Sequence, residues 1–457
     1  MTVANTLAID DLPPGPAPRS KGVIPSLRYY LNFVTDPIAF INERFDQYGD
    51  IYCARSDEGA LFVLRHPEHI QEVLLKRADD FSKTHTAFDS LTQVLGDALL
   101  TSDGDNWKRQ RRLVQPAFVR KRMAEYAEMM TAETQQLISR WQPNQEIDMG
   151  LEMVDLTLRI VCSTLFSYQV SNETDQVAKA MQIFNGAMAT PNVLPDWVPS
   201  IGRRKVTQAL ELLDGIIYDM INERRQTADT DSQPNDLLQR LVTAVDAEGN
   251  GDQLSAKEIR DQLMTLFLAG HETTSHALTW CWYLLAKNPD VEVKLHEELD
   301  RVLEGRAPTY EDLASLPYTE QVIKETMRLY PPAYVLPRRA RCDTEVGGYK
   351  VPAGSELVIW LYMTHHDKRW YPNPEQFKPE RFTPEAVAEL PKLAFMPFGA
   401  GPRTCIGAEF AMVEARLILA ALAQAYRPQL ISQKVVQPKP RITLAPKSSV
   451  KMVLRSR

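Results

Sequence analysis

Residues 395–412 read FMPFGAGPRTCIGAEFAM, and the fold turns on how this stretch is understood. One cysteine, Cys405, stands where a Gly- and Pro-rich loop gives way to a helix-like run, flanked by Gly401, Arg403 and Gly407. A thiol in such a setting can be packing filler, a nucleophile, half of a disulfide or a metal ligand. The other cysteines, Cys53, Cys162, Cys281 and Cys342, lie far apart, and no two of the five form a C-x-x-C. That argues against a zinc ribbon, a thioredoxin-type pair and a disulfide framework, and it favours a reducing compartment.

The bulk numbers narrow the class. At 457 residues, with 44% hydrophobic and 24% charged side chains, the chain has the make-up of a soluble globular protein with a sizeable core. A net charge of −7 argues against nucleic acid as the main partner. The opening MTVANTLAIDDLPPGPAPRS lacks an apolar signal-peptide core, and no run of about 18 apolar residues follows. No membrane anchor is expected, and the cytoplasm is the expected location.

Residues 1–22 read as an extended Pro-rich lead, and 23–457 as a single domain. Residues 50–66 (DIYCARSDEGALFVLRH) alternate around Gly59 and predict a β-hairpin. From about 68 to 330 the pattern is mostly helical, broken by loops near 85–103, 170–202 and 226–254. Residues 331–390 are dense in proline, with short β-like pieces such as GSELVIWLYM. Residues 405–426 are helical again, and RITLAPKSSVKMVLRS suggests a closing hairpin. The reading is a mainly α fold with a minor β portion.

The clearest helix is LSAKEIRDQLMTLFLAGHETTSHALTWCWYLLAKNP. Ser255 and Glu258 form a capping box at its start, and Asn288-Pro289 ends it. More than 30 residues give it roughly 45 Å at 1.5 Å per residue. It is apolar nearly all round from Leu263 to Leu285, which predicts burial. Two features interrupt it. Gly270 costs about 1 kcal/mol relative to alanine inside a helix. His271-Glu272-Thr273-Thr274 then puts polar groups into an apolar span. Either the hydroxyls are satisfied locally, or Gly270 lets a ligand reach the backbone while Glu272 and Thr273 serve a buried reaction. A zinc-protease reading of HETTSH fails, because His271 and His276 are five residues apart and diverge by roughly 140° around the helix.

Two further signals are weaker alone. KETMRLYPP places Glu325 and Arg328 at i, i+3, by itself a surface ion pair. NPEQFKPERF could add Arg381 to that pair. WKRQRRLVQPAFVRKRM concentrates basic residues between Lys108 and Arg122, either a solvated helix face or a site for an acidic partner.

Five motifs in order, WKRQR, AGHETT, ETMR, PERF and FGAGPRTCIG, resemble those of the haem-thiolate monooxygenases, the cytochrome P-450 superfamily, over about residues 20–455. The cysteine loop matches at Phe398, Gly401, Arg403, Cys405 and Gly407. The resemblance implies the cytochrome P-450 fold, with haem between a long central helix and a Cys-ligand loop. Cys405 would be the axial thiolate of haem b iron, its thiolate form favoured by Arg403 and the helix that follows. Phe398 would pack near the ligand. Arg403, Trp107, Arg111 and Arg338 would bind the haem propionates. Gly270 would make room for O2, Thr273 would hold dioxygen and water, and Glu272 would relay protons. Glu325, Arg328 and Arg381 would form a buried structural triad in place of a surface pair. By analogy, the substrate pocket would draw on Phe88, Leu91, Leu95, Phe267, Ala269, Ala333, Tyr334, Val335, Leu336 and Leu444.

The same resemblance implies a soluble, prokaryote-type monomer without a fused flavin domain. Electrons from NAD(P)H would come through a separate ferredoxin or flavodoxin and its reductase, docking near Lys108, Arg109, Arg112 and Lys121. The expected activity is hydroxylation or epoxidation of a hydrophobic molecule: a fatty acid, terpenoid, steroid or polyketide-like compound. A peroxide-driven peroxygenase and a non-catalytic haem-thiolate sensor are the alternatives. The intact Glu272-Thr273 pair argues against both.

Overall fold

Alternation, capping and apolar periodicity each leave a distinct mark on the architecture of this chain, seen in a computed structural model. The structure describes residues 11–16, 33–56, 59–83, 91–92, 94–168, 180, 183, 201–226, 236–244 and 253–457. Most of the Pro-rich lead, Phe88 and most of the 170–202 and 226–254 stretches lie outside the described residues. The chain is mainly α with a minor β portion. It divides into two compact units.

The first unit comprises residues 1–90, 328–376 and 384–405. Its centre is a five-stranded sheet in the order Ile51–Ser56, Gly59–Leu64, Glu356–Ile359, Leu336–Ala340, Phe81–Ser82. The expected hairpin is present, with Cys53 opposite Phe62. Gly59–Leu64 runs parallel to Glu356–Ile359, and the other pairings are antiparallel. Period-two alternation sorts the side chains. Phe62, Leu64, Leu357 and Ile359 join a core that includes Met396 and Ala400 of the cysteine loop. Val63 and Trp360 belong to a second core with Phe40, Ile41 and Phe45. Those last three come from the helix Pro37–Tyr48, whose start is capped by Asp36 accepting from the Ala39 amide at 3.0 Å.

The second unit comprises residues 91–327, 377–383 and 406–457. The central helix, Ala256–Lys287, carries the predicted capping box of Ser255 and Glu258. It packs on the helices Met149–Phe166, Ile201–Gln226 and Ala408–Ala425. Arg120–Arg140 packs in turn on Ala408–Ala425.

The tail departs from expectation. Leu444–Pro446 pairs with Pro438–Pro440 and not with the last strand. Lys451–Ser456 is the middle strand of a three-stranded sheet, between Glu146–Asp148 and Tyr426–Leu430. With both edges of that strand used, the hairpin forms one segment earlier, where the Arg441 amide donates to the Thr443 carbonyl at 3.1 Å. The surface-pair reading of Glu325 and Arg328 is also corrected, since both side chains are fully buried. Glu325 takes the Lys378 amide at 2.9 Å and lies 3.3 Å from Arg381. Arg328 donates to the carbonyls of His365, Pro374 and Gln376 at 2.9, 2.7 and 3.2 Å. A guanidinium can be covered in this way because backbone oxygens meet its fixed donors.

Candidate active site

In the first unit the loop before Cys405 is pinned by its own backbone. Gly399 and Gly401 both have positive φ, 70° and 72°. A Cβ on Gly401 would fall 2.0 Å from the Leu74 carbonyl oxygen, so only glycine fits the turn. Gly399 donates to the Met396 carbonyl at 2.9 Å, Thr404 to Gly401 at 3.0 Å, and Cys405 to Phe398 at 3.0 Å. The Thr404 hydroxyl closes on the Gly401 carbonyl at 2.8 Å.

This turn leaves Cys405 exposed, whereas Cys53, Cys162 and Cys281 are buried. Burial pushes their thiols up to about 11, 12 and 12, so they behave as inert packing groups. Cys342 is exposed too, but the slight covering it has and the Asp80 and Asp343 carboxylates beside it raise its thiol, which disfavours thiolate. In the same unit Arg403 is half-buried, and Arg338 is buried with one donor on the Pro337 carbonyl at 2.8 Å. An accessible thiol on a rigid turn, accompanied by guanidinium groups, fits a thiolate-ligated metal group bearing carboxylates.

In the second unit the central helix opens on one side only. From Asp261 to Leu285 its residues are buried except Ala269, Gly270, Thr273 and His276. Ala269, Thr273 and His276 fall within about 60° of each other around the helix. Thr273 donates to the Ala269 carbonyl at 2.7 Å, which leaves the lone pairs of its hydroxyl able to accept. The space beside Gly270 is already used, since a Cβ there would stand 2.9 Å from a methyl of Val161. Glycine at 270 therefore serves close packing on the helix Met149–Phe166.

Glu272 is buried on the flank of this open face, and burial pushes its carboxyl up to about 7. The Thr443 hydroxyl donates to Glu272 Oε1 at 3.1 Å and lies 3.0 Å from Nδ1 of His276. Together with the charge of Arg441, that bond restrains the rise. Glu272 Oε2 is buried and has no hydrogen-bond partner among the described residues. A cavity of about 370 Å³, lined among others by Glu272, His276, Arg441, Lys447 and Asp148, adjoins these groups. Glu414, on the helix Ala408–Ala425, is another buried carboxyl, pushed up to about 8 by burial, and neither of its oxygens has a hydrogen-bond partner among the described residues.

Trp107 and Arg111 sit one turn apart on the helix Gly104–Val114, the guanidinium 5.9 Å from the ring centre. Lys108, Arg112 and Lys121 are exposed, but Arg109 is held 2.7 Å from Glu258 of the capping box. Among the expected pocket residues, Leu91, Leu95, Phe267 and Leu444 are buried. Phe267 packs on Phe166 with ring centres 4.7 Å apart, and Leu444 accepts from the Trp280 indole at 3.2 Å. Ala269 is exposed, and Ala333, Tyr334, Val335 and Leu336 are half-buried in the first unit. Thr443 and Glu414 escaped the sequence reading. An acid inside the apolar run EFAMVEARLILAALA was the available signal for Glu414, but nothing local marks Thr443.

A family model described as cytochrome P450 matches residues 18–452. The chain is similar to "Cyclooctatin synthase" of Streptomyces melanosporofaciens, 37% identical over 93% of this chain and 93% of the relative. It is similar to "Cyclooctat-9-en-7-ol 5-monooxygenase" of the same organism, 34% identical over 89% of this chain and 88% of the relative. "Pentalenene oxygenase" of Streptomyces avermitilis is 32% identical over 89% of this chain and 90% of the relative.

Proposed function

The chain belongs to the cytochrome P450 family, and from that premise we propose how its own residues perform a monooxygenase reaction and on what class of substrate. Cys405 would hold the haem iron as thiolate, and Arg403, Arg338, Arg111 and Trp107 would bind its propionates. When bound, the haem would supply the redox centre of a monooxygenase, at which O2, two electrons and two protons give one oxygen atom inserted into a C–H or C=C bond and one molecule of water. Thr273, its own proton held by the Ala269 carbonyl, offers lone pairs that orient a proton donor on the open face of the helix. Glu272, poised at about 7, stores and releases protons near neutral pH. The Glu272 carboxyl carries this reading, because a buried acid with an orphaned oxygen suits O2-driven more than peroxide-driven chemistry.

The substrate is a terpenoid. This choice rests on relatives whose names denote an alkene, pentalenene, and an unsaturated alcohol, cyclooctat-9-en-7-ol. Electrons from NAD(P)H arrive through a ferredoxin or flavodoxin and its reductase, in the cytoplasm, at a dock of Lys108, Arg112 and Lys121. Arg109 has a structural task at Glu258 instead.

The reduced protein treated with carbon monoxide should show the red-shifted Soret band of thiolate ligation, and Cys405→Ala should abolish it. Persistence of the band in the variant would refute the ligand assignment. A spin-shift titration with terpenoid alkenes and alcohols, alongside fatty acids and steroids, tests the substrate class.

A further inference from the structure

The search leads to the polar chain behind Glu272. Thr443 lies in the turn between the strands Pro438–Pro440 and Leu444–Pro446, 171 residues away in sequence from the acid it meets. Its hydroxyl touches two groups on successive turns of the central helix, Glu272 Oε1 at 3.1 Å and His276 Nδ1 at 3.0 Å. His276 and Glu272 both line the cavity of about 370 Å³. Two routes could therefore supply protons to Glu272: directly from solvent in that cavity, or through the histidine and the hydroxyl.

We infer that Thr443 and His276 are positioning residues that form a relay re-protonating Glu272 from this cavity. The inference rests on the reading of Glu272 as a proton donor and extends it to the donor's own supply. With Glu272 ionised, Thr443 donates to Oε1 and the His276 Nδ1–H donates to Thr443. A proton taken from solvent on Nε2 of His276 moves the Nδ1 proton to Thr443 and the Thr443 proton to Oε1. Every hydrogen bond in the chain then points the other way, with Glu272 donating to Thr443 and Thr443 to Nδ1. One proton has entered and one has reached the carboxyl, with no net charge left on the imidazole. The ring resets by exchanging its Nε2 proton for one on Nδ1 through solvent. A neutral ring is what this sequence needs, and burial, with His271 and Arg441 nearby, pushes His276 down to about 4. The other charged or titratable groups around the cavity are Asp148, His271, Arg441 and Lys447.

Infrared spectroscopy of the resting holoprotein tests the relay without turnover. The protonated Glu272 carbonyl band is identified by its absence in Glu272→Gln. After a rapid change from H2O to D2O, its shift reports proton arrival. Thr443→Val should slow that exchange by about tenfold, and Thr443→Ser should restore it. In Thr443→Val the carboxyl should also titrate higher, since a bond favouring the ionised form is lost. His276→Phe breaks the relay at its far end and should slow exchange equally. It thus serves where the valine variant fails to fold. Unchanged exchange in Thr443→Val or His276→Phe would overturn the relay in favour of direct delivery from the cavity. Failure of the underlying reading looks different: Glu272→Gln would keep full coupling of NAD(P)H to product.

Discussion

The cysteine turn and the polar stretch of the central helix are secured in opposite ways. The turn is held by backbone: two left-handed glycines, amide-to-carbonyl bonds and a carbonyl oxygen standing where a Cβ would go. Its side chains add anchorage, Met396 and Ala400 in the core and the Thr404 hydroxyl on the Gly401 carbonyl, but the path of the turn is set by the backbone. The helix stretch is regular backbone whose chemistry comes from side chains arriving from elsewhere, Thr443 from a hairpin turn and Glu414 from a neighbouring helix. A site fixed by backbone should fail abruptly when altered, and one fixed by side chains should fail by degrees.

The largest effect is expected where the backbone leaves no room. Gly401→Ala sets a Cβ against the Leu74 oxygen at a φ of 72°. It should cost on the order of 3 kcal/mol or more and strip haem from the protein. Haem content per polypeptide and the thermal midpoint measure this, and a fully loaded variant of normal stability would break the contrast.

Next comes Glu414→Gln. A carboxyl raised from 4.5 to about 8 in the fold stabilises the protein fully below 4.5, and that contribution is lost as pH rises through about 8. The wild type should lose about 1.4 kcal/mol per pH unit across that window from this group. The amide variant should show a flatter profile in denaturant titrations at pH 5, 6.5 and 8.

Glu272→Gln should act on chemistry before stability. Coupling of NAD(P)H to product should fall about tenfold. Wild-type coupling should itself decline as pH rises through about 7, where the acid loses its proton. The variant should lack that decline.

The smallest effect belongs to the surface. Glutamate at Lys108, Arg112 and Lys121 together should slow reduction by an acidic ferredoxin a few-fold at low salt, and the difference should vanish at high salt. Stopped-flow reduction checks it. Arg109→Glu should lower stability instead, because it breaks the pair with Glu258.

These contrasts also mark what could be read from the sequence. The cysteine turn was legible because its signals are local: Gly399, Gly401, Pro402 and Cys405 lie within seven residues. The central helix was legible for the same reason, its caps and apolar run being written consecutively. The burial of Glu325 and Arg328 is a long-range fact, since carbonyls of His365, Pro374 and Gln376 cover the arginine. Family resemblance supplied it where spacing alone indicated a surface pair. Thr443 stayed hidden because a threonine in a short turn looks like any other until the chain brings it to Glu272. The tail pairing was misread because each of its short strands could pair locally, and only the two-sided demand on Lys451–Ser456 settles the choice.

The unequal exposure of the five cysteines has a practical side. Three thiols are sealed and held protonated, and only Cys342 and Cys405 can meet a reagent. A maleimide applied to the folded apoprotein should add two tags, and loading with haem should withdraw one site from labelling. Counting tags by intact mass would then give the fraction of molecules with an occupied centre, a titre of assembly that the protein carries in its own composition.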